Sequence, residues 1–125
     1  IVEVVKQLHE EGNQLFVLSS NTEELVSKIL RRYDILDLMT VMKSSKLFGK
    51  SQAIKRLIRQ NKFDQDQVWL LGDETRDMEA ADKSSVKSIG VTWGFHPAEI
   101  LETRNPTAVA NKPQEILSII RGTAN

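Results

Sequence analysis

Val68-Trp69-Leu70-Leu71-Gly72-Asp73-Glu74-Thr75-Arg76-Asp77-Met78-Glu79-Ala80-Ala81 runs from four apolar residues through a glycine into an acidic cluster, then into a helix-forming segment. The unbroken apolar run reads as a strand buried on both faces, as in a parallel sheet. Gly72 lets the backbone turn sharply at the strand end. Asp73 and Asp77 then stand four apart at the mouth of the sheet, where open α/β folds bind ligands. Hard cations such as Mg²⁺ take carboxylate oxygens at such places. A solvated βα loop whose aspartates cap the next helix is the plainer reading of the same residues.

The flanking sequence repeats the strand-then-helix alternation. Val2, Val5 and Leu8 form a helical stripe with Gly12 as its stop. Leu15 to Leu18 is a short apolar strand ending in Ser19-Ser20-Asn21, and Asn21 with Glu24 has the spacing of a capping box. Leu25, Val26, Ile29 and Leu30 are the expected buried stripe of the second helix. Thr40 to Met42 is a weaker strand, and a polar loop from Lys43 to Gly49 leads into a helix marked by Ala53, Ile54, Leu57 and Ile58. After the central stretch come a strand over Val86 to Thr92, a short helix opened by Pro97 and a small edge strand over Thr107 to Ala110. A final helix from Pro113 carries Ile116, Leu117, Ile119 and Ile120. This alternation predicts an α/β fold, a doubly wound parallel sheet with helices on both faces. Right-handed crossovers then put the C-terminal ends of the strands on one edge, so Ser19, Asp73 and the loop after Thr92 are expected to open there together.

Composition excludes several functions. The 125 residues carry 17 basic and 17 acidic side chains, so neither nucleic acid nor an anionic membrane surface is an expected partner. With no cysteine there is no disulfide, thiolate nucleophile or zinc ribbon. No apolar run approaches the roughly 20 residues of a membrane span, no signal peptide is visible, and the expected location is cytoplasmic. The chain opens at Ile1, directly in helical periodicity, which reads as an excerpt from a longer polypeptide.

Three further groups carry chemistry. Ser19 and Ser20 end a strand just before a helix, where hydroxyls and backbone N–H groups can hold a phosphate oxygen, or can simply cap the turn. Lys50 follows Gly49 at a helix start, a position the helix dipole disfavours for a cation; a bound anion would rationalise it, an ordinary surface lysine would not need one, and Lys46 is its competitor. Hydroxyl, lysine and carboxylate pair together are the parts phosphoryl transfer uses.

At these residues the chain resembles the haloacid dehalogenase-like hydrolases, in particular the phosphoglycolate-phosphatase-like branch. Leu15-Phe16-Val17-Leu18-Ser19 resembles the family's second motif, Gly49-Lys50-Ser51 its third, and Gly72-Asp73-Glu74-Thr75-Arg76-Asp77 its fourth; Val91-Thr92-Trp93-Gly94-Phe95 resembles the loop after the next strand. The resemblance implies a Rossmannoid core and an Mg²⁺-dependent phosphatase acting on a small phosphorylated metabolite. In it Ser19 would hydrogen-bond the phosphoryl group, with Ser20 beside it. Lys50 would neutralise the phosphoryl group and orient the nucleophile. Asp73 would bind Mg²⁺, with Asp77 helping to hold the metal site.

The first motif of that family, Asp-x-Asp after the central strand, has no counterpart here. Asp64-Gln65-Asp66 has the spacing but precedes a strand, and Asp34 and Asp37 follow a helix. Residues 1–125 therefore read as a single partial core domain lacking its first strand. The nucleophile and cap are expected in an upstream segment, and the excerpt alone is expected to be inactive. A receiver-like signalling domain has similar chemical parts in a different order, the acidic cluster first and the lysine last. A non-catalytic phosphate- or metal-binding module is the third reading. His9 is expected to be solvated, Trp69 to be core, Trp93 to line an entrance, and His96 to lie near the site-edge loop within possible reach of substrate.

Overall fold

The computed structural model describes residues 1–43 and 49–123. Strands and helices alternate as α1 (Val2–Glu10), β1 (Leu15–Ser19), α2 (Glu23–Arg32), β2 (Met39–Lys43), α3 (Gly49–Asn61), β3 (Trp69–Gly72), α4 (Thr75–Ser84), β4 (Lys87–Val91), α5 (Ala98–Leu101), β5 (Ala108–Ala110) and α6 (Pro113–Thr123). Every ladder is parallel, and helices lie on both sides of the sheets. The strands form two sheets, β1–β2 and β3–β4–β5, and the chain divides into two compact units, residues 1–49 and 50–125.

In the first unit, β1 pairs with β2 from Leu15 opposite Met39 to Ser19 opposite Lys43. Val26, Leu30 and Ile35 form its core, with Val2, Val5, Val17, Leu36, Leu38, Met39 and Val41 packed around them. On α1 the deepest residues are Val4 and Leu8, and Gly12 takes the positive φ that ends the helix. The expected four-residue stripe of α2 is narrower than predicted. Val26 and Leu30 are buried, but Leu25 and Ile29 are 47% and 48% exposed. A two-stranded sheet offers too little surface to cover more of the helix. The cap also moves by one residue: Thr22, not Asn21, is the N-cap, its Oγ1 accepting from Leu25 N–H at 3.2 Å.

In the second unit β4 is central, with Ile89 fully buried and flanked by Leu70-Leu71 and Ala108-Val109 across the ladders. Ser88 and Thr107 extend the β4–β5 pairing, each backbone N–H donating to the other's hydroxyl at 3.0 and 3.3 Å. Met78, Ala80 and Ala81 bury the inner face of α4, where small or flexible side chains allow close packing. Leu101, Ile116 and Leu117 complete the buried set from α5 and α6.

One expectation is corrected in β3. Its apolar run is not buried on both faces: Trp69 and Leu70 are half-buried and Leu71 is 37% exposed. The reason is topological, since among the described residues β3 has a ladder partner on one side only, β4. Trp69 is likewise not core; the Lys87 ammonium stands 5.4 Å from its ring.

These burials set different sensitivities. Ile89→Ala should cost about 2–5 kcal/mol of stability by cavity formation, whereas Leu25→Ala and Ile29→Ala should each cost about 0.5 kcal/mol or less. Urea denaturation of the three variants checks this ranking.

Candidate active site

The second unit builds its polar centre where β3 runs into α4. Gly72 closes the strand, Asp73 and Glu74 form the turn, and Glu74 is the N-cap of α4. The first turn of any helix leaves backbone N–H groups without internal partners. Here Asp77, in that first turn, curls back to serve the connecting segment. Its Oδ2 accepts from Asp73 N–H and from Glu74 N–H, both at 3.1 Å. Its Oδ1 accepts from the Lys50 ammonium, which reaches it from the start of α3.

Asp77 is only 3% exposed. A carboxylate at that depth is tolerable because each oxygen is engaged, one by two amides and one by a cation. The negative charge at a helix N-terminus also complements the dipole of α4. The same pairing explains the sequence oddity at Lys50. A cation in the first turn of α3 is disfavoured by that helix, and Asp77 offsets it. Lys50 keeps 40% of its side chain exposed, so the ammonium also meets solvent.

Asp73 is built differently. Its Oδ2 accepts from Phe95 N–H at 3.1 Å, and its backbone carbonyl accepts from His96 N–H at 2.9 Å. Among the described residues no hydrogen bond reaches its Oδ1. Two glycines make these placements possible. A Cβ on Gly72 would overlap the Asp77 side chain, and a Cβ on Gly94 would overlap that of Asp73. Neither glycine has positive φ, so it is space and not backbone conformation that demands them here.

Within the second unit the structure therefore brings together Lys50, Asp73, Asp77 and the loop after β4. Ser19 and Ser20 belong to the first unit. There Ser19 Oγ accepts from Asn21 N–H at 3.0 Å, which leaves its hydroxyl proton free to be donated. Lys46 lies outside the described residues. Asp64 and Asp66 sit before β3, where Asp64 Oδ1 accepts from Asp66 N–H at 3.0 Å and caps a short 3-10 turn. Arg76 donates to Glu74 at 2.8 and 3.1 Å; that hydrogen bond, and then the Glu74 charge, raise its already high pKa, so it stays charged at any working pH.

His9 is exposed and Trp93 is 42% exposed. His96 turns its ring to the protein: Nδ1 accepts from Thr75 N–H at 3.2 Å, at the first residue of α4. Sequence reasoning missed the amides of Phe95 and His96 as partners of Asp73. The available signal was Gly94, a glycine just past a strand end with no turn requirement of its own.

The donor chemistry suits Mg²⁺, which binds through one or two carboxylates, keeps several waters and uses substrate phosphate oxygens for the rest. Among the described residues no cluster of three or more acidic, histidine or cysteine side chains forms a closed metal cage. Asp73, whose Oδ1 no described residue engages, is the side chain that can take a direct ligand position. Asp77, both of whose oxygens are engaged, fits the supporting role.

This parallel α/β unit, with a glycine-aspartate turn and a lysine-aspartate pair behind it, has the parts of a phosphoryl-transfer hydrolase. The chain belongs to the haloacid dehalogenase-like hydrolase family, whose model matches residues 1–91. It is 27% identical over 121 residues to a phosphoglycolate phosphatase of Synechococcus elongatus, covering 96% of this chain and 57% of the relative. It is 22% identical over 128 residues to the phosphoglycolate phosphatase of Vibrio parahaemolyticus, covering 99% and 56%. The chain thus spans little more than half the length of these curated relatives. A solved structure of a predicted phosphatase from Clostridium acetobutylicum shares the fold, with a TM-score of 0.85 at 22% identity, covering 96% of this chain and 57% of that one. Among the described residues no helix is long and apolar enough to cross a membrane.

The unequal engagement of the two aspartates sets a test. Asp77→Asn turns an amide NH₂ toward Lys50 and removes the charge the amides face, so it should destabilise the protein by about 1–3 kcal/mol. Asp73→Asn keeps an acceptor for Phe95 N–H and should be nearly neutral. Thermal or urea unfolding of the two variants distinguishes them.

Proposed function

We propose that this chain supplies the phosphate- and metal-binding part of an Mg²⁺-dependent phosphatase that hydrolyses a small phosphorylated metabolite. The observation that carries the reading is the division of labour at the β3–α4 turn. Both Asp77 oxygens are engaged and one of them anchors Lys50, while Asp73 has an oxygen that no described residue engages. The family membership supports the hydrolase class, and the phosphoglycolate phosphatases among the relatives support a phosphomonoester as substrate.

In this reading Asp73 would hold Mg²⁺, directly or through water, and the bound cation would supply charge shielding to the phosphate oxygens. The nucleophile would be a carboxylate outside residues 1–125: it attacks phosphorus, the substrate oxygen leaves as an alcohol with a proton from a second acid also outside these residues, and that group takes a proton back from the water that hydrolyses the aspartyl-phosphate. Lys50, fixed by Asp77, neutralises the transferring group and orients the attacking carboxylate. Ser19 donates its free hydroxyl proton to a phosphoryl oxygen, with Ser20 beside it. None of these groups within residues 1–125 needs to move a proton to act; each is a positioned charge or donor, and such groups are worth most where they are fixed before the reaction. The two units belong, on this view, to one core domain. Among the described residues β3 pairs with β4 alone, so a further strand beside it would cover the exposed side of Leu71.

The test uses the intact protein with p-nitrophenyl phosphate and with phosphoglycolate. Asp73→Asn and Lys50→Ala should each lower kcat/KM by about 100-fold or more. Residues 1–125 expressed alone should show no turnover. Full activity in either variant, or Mg²⁺-dependent turnover by residues 1–125 alone, contradicts the assignment.

A further inference from the structure

We propose that the Gly94–His96 segment is a clamp that fixes the direction of the Asp73 carboxylate, with His96 as its positioning residue. The inference rests on Asp73 being a metal ligand, as proposed above, and adds how that ligand is aimed.

An aspartate at a strand end has two free side-chain torsions, and an exposed one samples several rotamers. Here four features remove that freedom. Phe95 N–H takes Oδ2, at 3.1 Å, and leaves Oδ1 as the oxygen that no described residue engages. His96 N–H takes the Asp73 carbonyl at 2.9 Å, tying the same loop to the residue's backbone. The ring of His96 accepts from Thr75 N–H at 3.2 Å, on the far side of the turn. Gly94 leaves the space that the Asp73 side chain occupies. Together the attachments at Asp73 and Thr75 straddle the turn, so the loop cannot swing from one without releasing the other.

The Thr75 attachment is the unusual member. The N–H groups of a helix's first turn ordinarily go to water or to a capping side chain nearby in sequence. Here the acceptor is a ring 21 residues further along the chain. Loss of that acceptor leaves the segment held to the turn by Phe95 N–H on the Asp73 carboxylate and His96 N–H on the Asp73 carbonyl, beside a Phe95 side chain that is 70% exposed and packs its ring on His96. Phe95 thus contributes its amide to Asp73, and His96 contributes the anchor that keeps the amide in place. Groups that orient a metal ligand commonly change metal affinity by 10–100-fold when removed.

The experiment measures Mn²⁺ binding, as a spectroscopic substitute for Mg²⁺, by electron paramagnetic resonance on the intact protein, together with Tm. His96→Leu removes the acceptor and should weaken Mn²⁺ binding about 10-fold. His96→Asn places a carbonyl oxygen near the position of Nδ1 and should recover most of that loss. Asp73→Asn is measured alongside. Wild-type affinity in His96→Leu, with affinity lost in Asp73→Asn, overturns the clamp and leaves the metal reading intact. Wild-type affinity in Asp73→Asn overturns the metal reading and the clamp with it. A loss in His96→Leu that His96→Asn fails to restore assigns the histidine a packing role and also overturns the clamp. If His96→Leu does not fold, Gly94→Ala serves instead; it pushes on Asp73 directly, and unchanged Mn²⁺ affinity there overturns the clamp.

Discussion

The carboxylate of Asp77 is the interaction on which the rest of the site depends. It takes the amides of Asp73 and Glu74 and the ammonium of Lys50, from a depth where only 3% of the residue is exposed. Each partner would be unfavourable alone. Turn amides next to a helix start lack acceptors, a lysine in the first turn of α3 opposes that helix's dipole, and a buried carboxylate needs both hydrogen bonds and positive charge. Joined, they stabilise one another, and the turn between β3 and α4 becomes rigid. Gly72 is a glycine because Asp77 lies where a side chain would otherwise be.

Rigidity at that turn gives the two aspartates different chemistry despite their common sequence motif. Both oxygens of Asp77 are engaged, one by two amides and one by the Lys50 ammonium. Asp73 has one oxygen committed to the loop after β4 and one that no described residue engages. In the proposed reading such a pair would serve as a carboxylate that meets the cation and another that keeps the cation's ligand and the lysine in register. The two glycines, 72 and 94, are the steric counterpart of this arrangement, each vacating the volume that one aspartate fills.

Much of this was legible in the sequence, because buried strands and helix starts leave strong local signals. The alternation of apolar runs with helical periodicity predicted the α/β elements, and all five strands lie where those runs are. The Gly-Asp-x-x-x-Asp spacing located the turn. What the sequence concealed depends on neighbours. Leu25 and Ile29 look as apolar as Val26 and Leu30, but a two-stranded sheet covers only the latter pair. Leu71 belongs to an apolar run, yet among the described residues β3 has a partner on one side only. Asn21 and Thr22 are both good caps, and one residue of backbone register decided for Thr22. The contacts of Phe95 and His96 with the Asp73 turn join residues more than 20 positions apart, and no local pattern carries them.

The central claim is that a divalent cation is met at Asp73, at the C-terminal end of β3. The most direct measurement is paramagnetic broadening of backbone amide resonances as Mn²⁺ is titrated into the intact protein. A metal site at Asp73 predicts that the earliest and strongest broadening falls on residues 73–74 and 94–96, and that it is lost in Asp73→Asn. Broadening centred on the other acidic pair of this unit, Asp64 and Asp66 before β3, and indifferent to Asp73→Asn, would contradict it.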